Sequence, residues 1–251
     1  TAELTHAAAI GYDWAHSAWS PSQRTQLRTA IVRLGLEPSL KIYGLTESAR
    51  SPYRYLGNWR AKPVNVNTII NSSMMMGAIA VSRDSTSATV QRALTGATKS
   101  IRYGLSQYER DGGFSEGPTY WAWATRSATA ALISLKGATG SDHGLASTGG
   151  LKKTARFALD LRSADDTIYN FADSSALPGA VNLPLAGLAR LYGSASIGAA
   201  SGALMPGGYG RAAQQLIMRD PAWKNAVAAT GSLQSTYATG IVTARSSTTS
   251  P

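Results

Sequence analysis

The sequence predicts an all-α fold. Three observations carry that expectation. Apolar residues recur at helical spacing along most of the chain. Start signals in which a capping side chain precedes proline stand at Ser20-Pro21 and Asp220-Pro221. The strand signal is confined to one short stretch. The 251 residues suffice for a substantial core. They fit one large domain over 1–245, followed by a tail at 246–251 that is expected to be disordered.

Taken in order, Ala7 to Trp19 reads as the first helix. Ser20-Pro21-Ser22-Gln23 opens the second: serine caps, proline suits the first turn, and Gln23 stands at the capping-box position. Leu27, Ile31 and Leu34 follow at helical spacing, and Gly35 offers a stop. Pro38 to Pro63 reads as irregular, with Tyr43, Tyr53, Tyr55 and Trp59 interleaved with Arg50, Arg54, Arg60 and Lys62. Asn67 to Ser82 is a continuous apolar segment with small residues, and its length favours a buried helix over a strand. Thr86 to Tyr108 is another helix. Asp111-Gly112-Gly113 marks a turn. Pro118 opens a helix running to about Gly137, and a loop covers Gly140 to Gly150. A shorter element follows from Leu151 to Leu161, and the one strand candidate lies over Thr167 to Asp173. Helices are expected near Pro184–Tyr192, Tyr209–Met218 and Pro221–Thr230, with Gly193–Gly208 as loop. Periodicity does not choose between a bundle and a toroid of helical hairpins.

Composition narrows the function classes. Lys and Arg number 24 against 14 acids, a formal charge of +10, which favours an anionic partner. Nucleic acid, membrane surfaces and acidic polysaccharides all qualify. No helix-turn-helix, zinc-finger or RNA-binding motif is visible, so nucleic acid is not the expected partner. No run of about 18 apolar residues appears, so membrane insertion is not expected either. The absence of cysteine removes disulfides and thiol catalysis. His6, His16 and His143 are scattered without metal-ligand spacing. No metal and no cofactor is therefore expected. Only 15% of residues are charged, and small residues abound, a composition associated with secreted bacterial proteins. The chain opens on Thr1, which reads as a processed start from which any signal peptide has been removed. A secreted or periplasmic location is the expectation.

Four segments, in order, carry a family resemblance. The first is Gly11-Tyr12-Asp13-Trp14, followed by Ser20-Pro21 and a basic amphipathic helix. The second is Asn65-Val66-Asn67-Thr68-Ile69-Ile70-Asn71, followed by Gly77-Ala78-Ile79-Ala80. The third and most specific is Asp111-Gly112-Gly113-Phe114-Ser115-Glu116-Gly117-Pro118-Thr119-Tyr120-Trp121. The fourth is Tyr169-Asn170-Phe171-Ala172-Asp173. Together they resemble the helical domain of the heparinase II/III-like polysaccharide lyases over about residues 10 to 175. The resemblance implies an α/α toroid, or incomplete barrel, of helical hairpins. The β-sandwich domain that usually follows in that family, and often supplies a catalytic histidine, is absent from this sequence. Val66 stands where many relatives carry Trp or His.

The activity so implied is β-elimination on a uronate-containing polysaccharide. A base takes the proton beside the carboxylate, and an acid protonates the departing glycosidic oxygen. Charge growing on the carboxylate must be stabilised by fixed donors or cations. The resemblance places the family's catalytic tyrosine at Tyr120, as acid and as candidate base. A tyrosine, with its ordinary pKa of about 10, needs a cationic neighbour to act as a base near neutrality; Arg60 and Arg54 are the candidates. Asn65 and Asn67 are candidates for neutralising the carboxylate, since a side-chain amide offers two donors. Helix capping is the competing role for either asparagine. Asn67 and Asn71, four apart, share a helical face.

Arg54, Arg60 and Trp59 are candidate substrate contacts, because guanidinium groups bind carboxylates bidentately and aromatic rings stack on sugar faces. Trp123, Tyr169 and Asn170 join them. Glu116, also a candidate contact, reads more readily as a cap for the helix that Pro118 opens. His16 and His143 are assigned no catalytic part. The alternative is a helical domain that binds an acidic polysaccharide without cleaving it. A nucleic-acid or envelope-surface binder ranks third. A glycoside hydrolase would need two carboxylates across a cleft, and Glu116 with Asp173 is the pair to examine.

Overall fold

The structure, a computed structural model, describes residues 1–44, 57–163, 167–175, 181–202 and 209–246. It is 63% helix and 4% strand, so the all-α expectation holds. Arg50, Tyr53, Arg54 and Tyr55 lie outside the described residues, as does nearly all of the 246–251 tail. The chain divides into two compact units. One comprises Thr1–Gly104 and Ala130–His143, the other Leu105–Thr129 and Gly144–Pro251.

In the first unit, α1 covers Ala2–Trp14 and α2 covers Pro21–Ala30. Ser20 and Gln23 form the capping box read from the sequence, each side chain accepting from the other residue's backbone N–H. The helix does not stop at Gly35. It widens into a π-helical segment, Ile31–Leu36, and continues as α3, Glu37–Tyr43, with Pro38 in its first turn. Gly35 is there for closeness. A Cβ at this position would stand 2.5 Å from Thr5 Oγ1 of α1. The irregular stretch expected from Pro38 is therefore helical as far as Tyr43. Next come α4, Asn65–Ser82, and α5, Ala88–Leu105. Helix α4 is the buried helix its apolar run predicts, and α1 packs along it. Tyr12, Leu36, Met75, Ala78 and Val81 fill the space between these elements with essentially no exposure.

Helix α6, Pro118–Thr139, contributes residues up to Thr129 to the second unit. The second unit continues with α7, Thr154–Leu161, then α8, Asn182–Tyr192, and α9, Ala195–Ala200. Helix α10, Tyr209–Met218, and a 3-10 turn at Pro221–Asn225 follow. Among its buried aromatics, Tyr108, Phe114, Trp121 and Phe157 are essentially without exposure. Three expectations are corrected here. The strand candidate over Thr167–Asp173 reduces to one isolated bridge between Arg162 and Ile168. The Gly193–Gly208 stretch contains α9, started by Ser194, whose side chain accepts from the Ile197 N–H. The helix expected over Pro221–Thr230 is only a single turn. Asp220 caps it through Ala222, and Trp223 is buried against Ala186 and Ala189. The strands lie in a place the pattern did not mark: β1, Gln234–Thr236, pairs antiparallel with β2, Val242–Ala244.

Candidate functional site

The first unit holds the asparagine block with the Trp59–Arg60 turn. Asn65 is the first residue of α4 and is 5% exposed, while its neighbour Val66 stands half-exposed. Asn67 is fully buried. Its Nδ2 donates to the Trp59 carbonyl (3.0 Å) and reaches Ser100 Oγ on α5 (3.5 Å). Its Oδ1 accepts from Asn71 Nδ2 (2.9 Å) and from the Gly104 backbone N–H (3.2 Å). Both amide hydrogens are thus directed at groups of the protein itself. Asn67 has neither a donor nor surface to offer a substrate carboxylate, and the carboxylate-neutralising role expected of it is corrected to an internal one.

Asn71 meets Asn67 on one helical face, as their spacing dictates. It also donates to the Asn67 carbonyl (2.8 Å) and to Ser100 Oγ (3.0 Å), and its Oδ1 accepts from the Tyr43 hydroxyl (2.7 Å). Ser100 donates to the Arg60 carbonyl at 2.7 Å. Trp59 and Arg60, in the 3-10 turn Asn58–Ala61, are both half-buried, and Arg60 Nη1 bonds back to the Gly57 carbonyl (3.3 Å). Burial without a charged partner drives the Tyr43 phenol far above its ordinary value, so it donates at every physiological pH.

The Tyr12 segment sits elsewhere in the first unit. The Tyr12 hydroxyl donates to Asp84, and His16 Nε2 lies 2.8 Å from the same carboxylate. These bonds, Tyr12's first, hold the Asp84 carboxyl below the usual range; burial and then Asp84 push the Tyr12 phenol up.

In the second unit the third and fourth sequence segments converge. Asp111 Oδ1 accepts from the Gly113 N–H (2.9 Å), and Phe114 packs on Tyr108 with ring centroids 5.1 Å apart. Trp121 Nε1 donates to Thr154 Oγ1 (2.7 Å), which donates to the Gly112 carbonyl (2.6 Å). Gly117, at φ +89, lets the Phe171 carbonyl and Ser174 close on the start of α6. At this helix start Ser174 Oγ accepts from the Thr119 N–H (3.2 Å), and Thr119 Oγ1 accepts from the Ser175 N–H (3.1 Å). Glu116 accepts from Gln107 Nε2.

Tyr120 emerges on the first turn of α6. It is half-buried, and among the described residues no hydrogen bond engages its hydroxyl. Trp123 lies three residues on, along the same side of the helix, half-buried. Tyr169 is 69% exposed, and Asn170 donates to the Ser174 carbonyl (3.2 Å).

Sequence reasoning missed Ser100, Tyr43 and Ser174. Ser100 had a faint signal, being the polar residue among Ala93, Ala97 and Ile101 on the buried side of α5. Ser174 had none, because the turn it caps begins 55 residues earlier. Among the described residues no cluster of three His, Cys, Asp or Glu is placed to hold a metal ion, and no helix is long and apolar enough to cross a membrane. No family model matches the chain, and no curated protein matches it in sequence.

Proposed function

We propose that the chain is a polysaccharide lyase that cleaves an acidic, uronate-containing polysaccharide by β-elimination, with Tyr120 as acid and base. The observation that carries this reading is the Tyr120 hydroxyl. It is held on an anchored helix start, belongs to a half-buried residue, and has no hydrogen-bond partner among the described residues. A core tyrosine is normally bonded and enclosed, as Tyr108 is to Thr125 Oγ1 at 2.8 Å. A general acid or base needs the opposite arrangement. In the reaction the base takes the proton beside the uronate carboxylate and the new electron pair forms a carbon–carbon double bond. The glycosidic oxygen then departs with a proton from the acid. The family resemblance gives the neutralising role to an asparagine, and the donors of Asn67 are engaged within the protein. The basic charge supports an anionic substrate, and a predominantly helical chain agrees with a toroid of hairpins. A substrate of this kind places the protein outside the cytoplasm.

The test is absorbance of the unsaturated uronate on a panel of alginate, glucuronan and glycosaminoglycans. A rise with one substrate, reduced by roughly 10²–10⁴-fold in Tyr120→Phe, is the expected result. A rise undiminished in the variant removes Tyr120 from the chemistry. Saturable binding with a flat trace on every substrate makes the protein a non-catalytic binder of the polyanion.

A further inference from the structure

We propose that the buried network of Tyr43, Asn71, Asn67 and Ser100 is a positioning device for the Trp59–Arg60 turn, with Ser100 its pivot, and that through this turn it sets the affinity for an anionic sugar chain. The sugar-binding part rests on the lyase reading above.

The bonds form a directed relay. Tyr43 donates to Asn71, Asn71 donates to Ser100, and Ser100 donates to the Arg60 carbonyl. A second arm runs from Asn67 to the Trp59 carbonyl. A hydroxyl has one proton and two acceptor sites, and Ser100 uses all three: the proton on Arg60, the lone pairs toward Asn71 and, at longer range, Asn67. The amides are oriented without ambiguity. Asn71 Nδ2 faces the Asn67 carbonyl and Asn67 Nδ2 the Trp59 carbonyl, groups that only accept, which turns Asn71 Oδ1 to the Tyr43 hydroxyl.

The network's exits are two successive carbonyls of one turn. Pulling both inward fixes the backbone of residues 59 and 60 and so sets the spacing of two half-buried side chains, a tryptophan ring and a guanidinium. That pair suits a sugar face next to a carboxylate. The unit carrying the turn has 13 basic against 6 acidic residues, or +7, while the other has 11 against 8, or +3. Steering of a polyanion therefore favours the unit that holds the turn. The buried hydroxyls and amides never touch the sugar. Their effect is on where Trp59 and Arg60 stand.

The experiment uses the full chain and an alginate oligosaccharide, with affinity measured by titration calorimetry and the turn followed by hydrogen exchange without ligand. Ser100→Ala is expected to speed exchange at 57–62 and weaken binding about tenfold, raising KM while kcat holds, since small misplacements in a binding constellation cost that much or more. Ser100→Thr, which restores the hydroxyl, should recover most of the loss. Tyr43→Phe, which removes only the outermost donor and leaves the packing intact, should give a smaller loss in the same direction. Wild-type affinity in both Ser100→Ala and Tyr43→Phe, with unchanged exchange at 57–62, overturns the device. Faster exchange in Ser100→Ala together with a wild type that binds neither alginate, glucuronan nor a glycosaminoglycan upholds the positioning and overturns the sugar reading.

Discussion

Asp160 is the residue whose loss should cost the fold most. Its side chain has no exposure, yet it carries two strong acceptor contacts: the Ser232 N–H at 2.5 Å and the Tyr237 hydroxyl at 2.5 Å. The Arg156 guanidinium lies 3.3 Å away but is half-exposed, so its share is small. The hairpin held this way is weak by itself. Two strands of three residues are far below what stands alone in water. It depends on its anchors: Asp160, Arg245 donating to the Leu159 and Asp160 carbonyls (3.0 and 2.7 Å), the Tyr237 ring on Phe157, and Asp111 accepting from the Ala238 N–H (2.6 Å). Asp160→Ala strands two buried donors at about 1–3 kcal/mol each, so the expected loss is about 4 kcal/mol. Asp160→Asn keeps an acceptor for Ser232, and a loss of about 1–2 kcal/mol is expected. Urea unfolding followed by circular dichroism measures both, and limited proteolysis reports whether 230–245 is cut first. An unfolding midpoint for Asp160→Ala within about 0.5 kcal/mol of wild type would refute the assignment of the carboxylate as the hairpin's anchor.

Two further outcomes follow from the same physics. Gly117→Ala forces a side chain into φ +89 and sets its Cβ 2.4 Å from Ser174 Oγ and 2.5 Å from the Phe171 carbonyl; a loss of about 2–4 kcal/mol is expected, read as a lowered melting temperature, and a neutral variant would mean the two segments do not close there. Burial raises the phenol pKa of Tyr12, Tyr43, Tyr108 and Tyr237, with the Asp84 and Asp160 bonds adding to the first and last. A raised folded pKa contributes stability that is complete below the unfolded value near 10 and is lost as pH climbs toward the folded one, so the contribution of these phenols should be lost only above about pH 10. Tyrosinate absorbance should rise in two phases, the second coinciding with loss of helix, whereas a single reversible rise with the helix intact would contradict the burial of these rings.

Helices were legible where one element contains both signal and partner. The Ser20–Gln23 box closes within four residues, and α4 announces itself by an apolar run longer than a strand. The misreadings share a cause: the deciding partner lies far along the chain. Gly35 looks like a stop locally, and only the approach of Thr5 explains a glycine inside a continuing helix. The β1–β2 hairpin has too few residues for alternation to register, and what secures it is a carboxylate more than 70 residues away. Asp220-Pro221 does start a helical turn, but Trp223 leaves it for the α8 core and the turn ends.

The same principle divides the candidate site. Tyr120 is picked out by a dense local motif, and its surroundings come from the segments that flank that motif or close on it. Asn67 is also picked out locally, but an amide serves a substrate or the interior according to which acceptors reach it. Here those acceptors are Trp59, eight residues earlier, and Ser100, 33 residues later. Replacing Asn67 would therefore impair binding whether it touched the sugar or only held the turn, and activity loss alone does not separate the two. Ser100 does separate them, because it shares the network yet stands one residue further from any ligand. A binding loss in Ser100→Ala that Ser100→Thr repairs assigns the effect to the position of Trp59 and Arg60, and the asparagine block then acts as the mount of the binding turn.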